Sequence, residues 1–467
     1  MNTFQDDNGL EYSASTRNSV TRFDELVSSF MGYRPEAGRQ LKALLEADSD
    51  MPMALCMKGY FAKMMGLRKL HGRAQGLADQ LSADNRADTF NHRESLHVEA
   101  LGAWCSGDLD RTVRIWEDIL LRYPQDCIAL RLAYFNHFYS GDGRRMRDSV
   151  ARVLPFWEPS HPRYGYILGL YAFALEECGE YALAERHGRQ AVEINPTDAW
   201  AVHAVAHVME AQERHQEGID WLAGLEPHWS TANNFRFHLY WHQCLYHLDK
   251  GEYDAALDIH DRLLVSDLDS DFYLDLCNAA SLLWRLELHG VEIEGRWEVL
   301  LEAARRRIED RDLVFASLHY LMVLIAAGGR KSGDAWMDNF RQWAASGDTQ
   351  GRVMLRVGTA LATAMRDLRQ GRPDRAYETF SRIRYEVDLI GGSVAQRDLF
   401  GMLLIEAASR AECHHETRAL CAERVALRPR SRWTWLRYSQ ALHATRDRVR
   451  AKEAADHAMR LHPDHHR

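Results

Sequence analysis

The sequence predicts an all-α protein that is built by repeating pairs of antiparallel helices. Its 467 residues are too many for one compact core, and 46% of them are apolar, which excludes disorder for most of the chain. Only eleven prolines occur, which suits long helices, and few segments alternate with the period of a β-strand. Turn glycines followed by amphipathic segments recur at Gly107, Gly141, Gly179 and Gly251. The first two gaps are 34 and 38 residues, and the third, of 72, is twice 36.

A period of about 34 residues with two helices per unit is typical of tetratricopeptide repeats. In the clearest unit, one helix is expected over Tyr164–Cys178, a turn at Gly179, a second helix over Tyr181–Ile194, and a stop at Pro196. Glycine adopts the left-handed conformation that ends a helix at little cost, and a helix cannot continue through the proline. The predicted fold is therefore a tetratricopeptide-type α-solenoid, a right-handed superhelix of antiparallel helix pairs. Closure of the superhelix around a central pocket is one alternative.

We expect four segments along the chain. Residues 1–20 are predicted to be a flexible N-terminal segment, and residues 21–90 a helical cap, in which Leu41–Arg68 forms two helices. The superhelix is expected over residues 91–446, followed by a C-terminal helix and tail over residues 447–467. Stacked repeats bury a continuous core between neighbours, so no single unit is stable alone.

Composition limits the class of partner and the compartment. A net charge of −9, with arginines scattered among acids, argues against a nucleic-acid partner, which prefers a basic face. No apolar run is long enough for a membrane span, and Met1–Ser19 shows no secretion signal, so we expect no membrane and a cytoplasmic protein. The eight cysteines occur singly, without a C-x-x-C pair, and are predicted to be reduced thiols.

Five stretches between about residues 90 and 430 carry motifs that are more specific than the repeat itself. They are MRDSVARVLPFW (Met146–Trp157), INPTDAWAVHAVAH (Ile194–His207), YWH (Tyr240–His242), KGEYDAALDIHD (Lys250–Asp261) and GGSVAQRDLF (Gly391–Phe400). In these motifs, and in its length, the chain resembles the tetratricopeptide repeat protein 38 family. The resemblance implies a helical superhelix but no particular reaction.

Two neighbouring inner helices each carry a pair of histidines one turn apart. In a tetratricopeptide superhelix the first helix of every pair lines the concave surface. His203 and His207 share one face of such a helix with Glu210, and His238 and His242 share one face of the next. Further side chains predicted at this site are Asp198, Trp200, Asn234 and Trp241, and, from other inner helices, His319, Gln396, Arg397, Asp398, His137 and Tyr139. Either Asp198 or Thr197 is also expected to cap its helix.

Three kinds of chemistry fit these side chains, and the sequence leaves them open. Four imidazoles suit a divalent transition metal, although no cofactor is certain and Ala204 stands where the zinc-protease motif H-E-x-x-H has its glutamate. A histidine held by Glu210 would instead titrate near neutrality and act in acid–base catalysis. Trp200, Trp241 and Arg397 would suit an aromatic or anionic ligand. Histidines that serve only packing and hydrogen bonding are the remaining alternative.

The leading functional hypothesis is a small-molecule pocket lined by histidine and tryptophan, with His/Glu acid–base catalysis as its extension. It predicts a tight superhelix whose two halves meet. The alternative is a non-catalytic scaffold that holds a peptide or protein partner in an open concave groove, as repeat solenoids often do. The sequence does not decide whether the protein is an enzyme or forms a homodimer.

Overall fold

The computed structural model describes residues 2–83 and 90–461. The end of the predicted C-terminal tail, residues 462–467, lies outside the described part. No helix in the described ranges combines the length and the apolar character that crossing a bilayer requires. Each of the eight cysteines is a free thiol in the structure.

The chain begins with a β-hairpin rather than with the flexible segment predicted for residues 1–20. Strands β1 (Asn2–Gln5) and β2 (Glu11–Ala14) pair antiparallel, with Asn2 opposite Ala14. The carboxylate of Glu94 accepts hydrogen bonds from the backbone N–H of Ser13 at 2.8 Å and from its hydroxyl at 2.7 Å. The prediction was wrong because these contacts join residues 81 positions apart, which a local polar composition does not reveal.

Four helices follow the hairpin and form the cap. The two helices predicted between Leu41 and Arg68 are present as the second and third of this group. The cap helices are α1 (Arg17–Met31), α2 (Ala37–Ala47), α3 (Pro52–Met64) and α4 (Arg68–Leu81).

Helix pairs then succeed one another, and consecutive helices pack against each other. The predicted unit at Tyr164 is confirmed, with Gly179 in the left-handed conformation at φ 79° between its two helices. The first group comprises α5 (His92–Cys105), α6 (Leu109–Arg122), α7 (Cys127–Tyr139), α8 (Gly143–Val153) with a 3₁₀ turn (Leu154–Phe156), α9 (Tyr164–Glu177), α10 (Tyr181–Ile194), α11 (Ala199–Ala211), α12 (His215–Trp229), α13 (Phe235–Lys250) and α14 (Tyr253–Ile259) with a π-helical turn (His260–Leu264).

The remaining repeats are less regular, with short 3₁₀ and π-helical turns between or within helices. They comprise a 3₁₀ turn (Leu268–Ser270), α15 (Tyr273–Leu288), α16 (Arg296–Arg306), α17 (Val314–Ala326), α18 (Gly329–Ala344), α19 (Thr349–Val353), a π-helical turn (Met354–Gly358), α20 (Thr359–Arg369), α21 (Pro373–Ile383), a 3₁₀ turn (Val387–Ile390), α22 (Val394–Arg410), α23 (His414–Leu427), α24 (Arg432–Ala444) and α25 (Arg448–Arg460). The predicted all-α tetratricopeptide-type solenoid is confirmed.

The superhelix is closed, because its two halves meet across the concave side. Near one end, the Lys63 ammonium lies 3.0 Å from the Asp312 carboxylate, and the Thr349 N–H donates to the carbonyl of Gly107. Near the other, the guanidinium of Arg428 lies 2.9 Å from the carboxylate of Glu210. The closed alternative is therefore the observed one.

One seam of this closure, the contact between Gly391 and the end of α7, requires glycine. Gly391 has φ 79°, and a Cβ built on it would lie 2.5 Å from the carbonyl oxygen of Tyr139. Any side chain at this position would collide with the backbone of α7 as well as strain its own backbone. Helix α22 begins three residues later and packs against both α11 and α15 on the inner side of the superhelix.

Closure explains why the inner helix α11 is buried on every side. In α11, each residue from Ala199 to Glu210 is buried. A helix that is covered all round loses the polar face of an ordinary surface helix. Its polar residues are then buried too, and each of them requires a partner.

Candidate functional site

The four predicted histidines form one cluster. The ring centroids of His203 and His207, one turn apart on α11, are 4.4 Å apart, and those of His238 and His242 on α13 are 4.9 Å apart. Between the helices, His207 and His242 are also 4.4 Å apart. One ring nitrogen from each residue can be chosen so that all four lie within 4.8 Å of one another.

These rings are buried and mostly lack hydrogen-bond partners. The exposed fraction is 3% or less for each of the four residues. Within the described part of the chain, both ring nitrogens of His203, His207 and His242 are without a hydrogen-bond partner. In His238, Nδ1 lies 2.9 Å from the amide oxygen of Asn278, so a protonated Nδ1 donates there and Nε2 keeps its lone pair.

Burial keeps the cluster uncharged. Desolvation lowers the pKa of His238 to about 4, against a weaker opposing effect of its hydrogen bond to Asn278. Desolvation, reinforced by the neighbouring histidines, holds the pKa of His203, His207 and His242 well below the usual value. At neutral pH all four imidazoles are therefore neutral, which is the form that binds metals.

The carboxylate beside the cluster is Glu176 and not the predicted Glu210. Oε2 of Glu176 lies 3.5 Å from Nδ1 of His207 and has no hydrogen-bond partner among the residues that the structure describes. Burial, and then the adjacent Glu177, raise the pKa of Glu176 well above its usual value. Glu210 is paired with Arg428 at 2.9 Å, so the predicted His207–Glu210 contact is wrong: an arginine 218 residues away takes the carboxylate.

A cavity of about 370 Å³ opens against one side of the cluster. His203, His207 and His238 line it, whereas His242 lies behind them. The other lining residues are mostly aromatic or apolar, and include Phe30, Tyr33, Phe61, Met64, Phe135, Phe138, Phe173, Phe235, Phe272, Tyr273, Leu274 and Phe315.

Four other predicted site residues line the cavity. Trp200 packs between Tyr33 and His203, with ring centroids at 5.8 and 4.9 Å. The hydroxyl groups of Tyr139 and Tyr273 lie 2.8 Å apart. The last two are Asn234, whose amide donates to Asp267, Ser270 and Asp275, and Gln396, which forms a capping box with Ser393.

The remaining predicted residues lie outside the cavity lining, and each has a structural contact that explains why. Trp241 donates its indole N–H to Ser281, His319 lies 2.8 Å from the carbonyl of Phe315 on its own helix, and His137 lies 3.0 Å from Glu117. Of the two predicted caps, Asp198 is the one that caps α11, by accepting from the N–H groups of Trp200 and Ala201. The other two are Arg397, which donates to the carbonyl of Gly392 and faces Glu177, and Asp398, which pairs with Arg424 and Arg428.

Arg131 is a lining residue that the sequence analysis missed. A local pattern could have revealed it. Asp126 caps α7 as Asp198 caps α11, and Arg131 follows its cap by five residues, as His203 does. Residues in equivalent positions of the inner helices face the same space. Tyr33 and Glu176 carry no comparable pattern.

No protein-family model matches the chain. Similar solved structures are the human IFIT1 dimer with PPP-AAAA (12% identity, 98% of this chain and 95% of that chain, TM-score 0.42), yeast Tom70 (13%, 79% and 76%, 0.30) and Naa15/Naa10 bound to HypK-THB (11%, 95% and 78%, 0.24). At these TM-scores the fold assignment rests on the helix pairs of this chain. The chain is a helical repeat protein of the tetratricopeptide type.

Proposed function

We propose that this protein binds a first-row transition metal ion through His203, His207, His238 and His242 and exposes it to a small-molecule cavity. The observation that carries the proposal is the set of six buried ring nitrogens without a hydrogen-bond partner. Buried polar groups in native proteins are almost always hydrogen-bonded, and each exception costs roughly 1–3 kcal/mol. A metal ion would satisfy one nitrogen of every ring at once.

The donor set favours particular metals. Four neutral imidazoles suit zinc, copper, nickel, cobalt or iron, whereas magnesium and calcium prefer oxygen ligands. Nδ1 of His207 faces Glu176, which leaves Nε2 for the metal, and His238 faces Asn278 in the same way. Partners of this kind orient metal-binding histidines in other proteins.

The cavity supports a small molecule as the second component. Its volume of about 370 Å³ falls in the usual range for small-molecule sites, which are lined mainly by apolar and aromatic side chains. An extended peptide in the concave groove is disfavoured because α22 packs against α11 and α15 there. Acid–base catalysis by His207 and Glu210 is not part of the proposal, because Glu210 is paired with Arg428.

Metal content tests the proposal directly. The purified chain, and the chain stripped with chelator and refilled with zinc or cobalt(II), should hold one ion per chain, and the cobalt form should show the visible absorption of a four-nitrogen site. The double substitution His203→Gln/His238→Gln should abolish both signals. His228→Gln, the same change at an exposed histidine, should leave them intact. Failure of the wild-type chain to bind zinc, cobalt, nickel, copper or iron above the level of the double variant would refute the proposal.

We further propose that the chain belongs with the tetratricopeptide repeat protein 38 family and acts in the cytoplasm. The support for the family is the five stretches quoted above, one of which, Ile194–His207, contains two of the four cluster histidines. The support for the compartment is the set of eight free cysteines. Fractionation of cells that express a tagged full-length chain would test the second statement, and recovery with membranes or in the medium would refute it.

A further inference from the structure

Arg131 on α7 is a buried cation without a counter-ion. Its side chain lines the cavity and is 2% exposed. One guanidinium nitrogen donates to the carbonyl of Met31 at 2.6 Å, and within the described part of the chain Nε has no hydrogen-bond partner. Among residues 2–83 and 90–461, no carboxylate lies within the 4.0 Å of an ion pair with it. A buried charge of this kind is costly unless something pairs with it.

Other buried arginines of the chain are compensated, so the state of Arg131 is not a general feature of this fold. Arg93 lies 2.7 Å from Asp126, Arg428 2.9 Å from Glu210, and Arg307 2.9 Å from Asp310. Arg285 also lacks a carboxylate but donates to three backbone carbonyls.

Aromatic rings hold the guanidinium of Arg131 in place. Its central carbon lies 4.1 Å from the ring centre of Tyr33, 4.5 Å from that of Phe30 and 5.3 Å from that of Phe135. Cation–π contacts of this kind offset part of the desolvation cost and fix a planar group, but they do not neutralise its charge. All three rings also line the cavity, so the charge is presented to whatever the cavity holds.

The lining as a whole carries positive and no negative charge. Among the described residues it contains Arg131 and Arg34, the latter bonded to Thr197, and neither aspartate nor glutamate. Asp198 interacts electrostatically with Arg131 but lies beyond ion-pair distance; its Oδ1 caps α11, and its Oδ2 has no hydrogen-bond partner among the described residues. A divalent metal with four neutral histidine ligands would add further uncompensated positive charge to the same space.

We propose that the ligand of this cavity is a small aromatic or apolar monocarboxylate whose carboxylate pairs with Arg131. The inference deepens the proposed function and rests on the cavity being a small-molecule site. A guanidinium matches the two oxygens of a carboxylate, and the aromatic walls match an apolar body.

Matched pairs of acids and amides test the inference. Phenylacetate and 1-naphthylacetate, each beside its neutral amide, are titrated into the full chain by calorimetry, in the metal-stripped and zinc-loaded forms. We expect each acid to bind at least tenfold more tightly than its amide. The preference should persist in the stripped form, because there it cannot come from metal ligation.

Substitutions at Arg131 separate the charge from the packing. Arg131→Gln should remove the acid preference and leave amide binding within about twofold, whereas Arg131→Lys should keep part of the preference, because the charge remains without the planar fork. Arg145→Gln, at an exposed arginine of α8, is the control and should change nothing. Melting temperatures of all variants show whether they fold.

Two results would overturn the inference in distinguishable ways. Equal binding of acids and amides by the wild-type chain, or an acid preference that survives in folded Arg131→Gln, would assign Arg131 a purely structural role and leave the small-molecule cavity standing. If neither the acids nor the amides bind, the cavity is not a small-molecule site and the inference fails with it. The metal proposal, which is tested separately, would be unaffected.

Discussion

His97 on α5 and His207 on α11 are both fully buried histidines of inner helices, yet their surroundings are opposite. His97 has both ring nitrogens engaged, Nε2 at 3.0 Å from Asp126 and Nδ1 at 3.1 Å from the hydroxyl of Tyr60. Arg93 completes that network at 2.7 Å from Asp126. His207 has a carboxylate oxygen at 3.5 Å and three other imidazoles nearby, and neither of its ring nitrogens has a hydrogen-bond partner in the described ranges.

The difference shows how a structural histidine and a candidate ligand can be told apart in one fold. The network of His97 is complete, so a metal could bind there only by breaking existing hydrogen bonds. The cluster of His207 has free lone pairs, and its hydrogen bond from His238 to Asn278 leaves Nε2 of His238 available. Glu210 and Asp398, predicted as site residues, belong with the first kind, because Arg428 and Arg424 pair with them.

The largest change in the free energy of unfolding is expected when the hydrogen-bond network around His97 is broken. Asp126→Ala should lower the free energy of unfolding by about 3–5 kcal/mol, because it leaves Arg93 as a buried charge without its partner. It also removes the side chain that caps α7. Urea denaturation measures the change. A loss below about 1 kcal/mol would show that the network of His97 is not what stabilises this region.

The free energy of unfolding should depend on metal binding to the histidine cluster rather than on the loss of a single imidazole. Without metal, His207→Gln should unfold within about 1 kcal/mol of the wild type, because no hydrogen bond is lost. With zinc at a hundredfold excess over its dissociation constant, the wild type should gain about 3 kcal/mol and the variant much less. Chemical denaturation with and without chelator measures both. A large destabilisation of the metal-free variant would instead assign His207 to packing.

His319 is intermediate between His97 and His207, because one of its ring nitrogens is bonded to the carbonyl of Phe315. Desolvation, aided by Arg285, lowers its pKa to about 4, whereas an unfolded histidine has a pKa of about 6.5. Below pH 6.5 the unfolded chain therefore binds the extra proton, and stability is lost as the pH falls toward 4.

Replacing His319 should make the free energy of unfolding fall less steeply as the pH is lowered. We expect His319→Gln to lose less stability than the wild type between pH 6.5 and 4, by up to roughly 1.4 kcal/mol per pH unit. Denaturant titrations across that range compare the two chains. Parallel curves would mean that folding does not lower the pKa of His319.

The smallest effect is expected at His137, which was predicted at the site but lies against Glu117. His137→Gln should cost about 1 kcal/mol, the net contribution of an ordinary hydrogen bond, and should leave metal content and ligand affinity unchanged. Metal analysis and denaturation of the same preparation measure both. Loss of metal in this variant would place a metal ligand on α7 and contradict the assignment of the metal site to the histidine cluster.

Local patterns in the sequence determined the helix pairs and the histidine pairs within them. A helix is specified by residues three and four positions apart, so the turn at Gly179 and the spacing of His203 and His207 could be recognised without the fold. The cap formed by Asp198 is local for the same reason.

Only the tertiary structure decided what surrounds the histidines. The Arg428–Glu210 pair joins residues 218 positions apart, and the contact of Arg131 with Met31 spans 100. The seam at Gly391, the cavity and the partnerless ring nitrogens all depend on how the superhelix closes. Closure is set by the sum of small rotations between successive repeats, and no short stretch of sequence contains that sum.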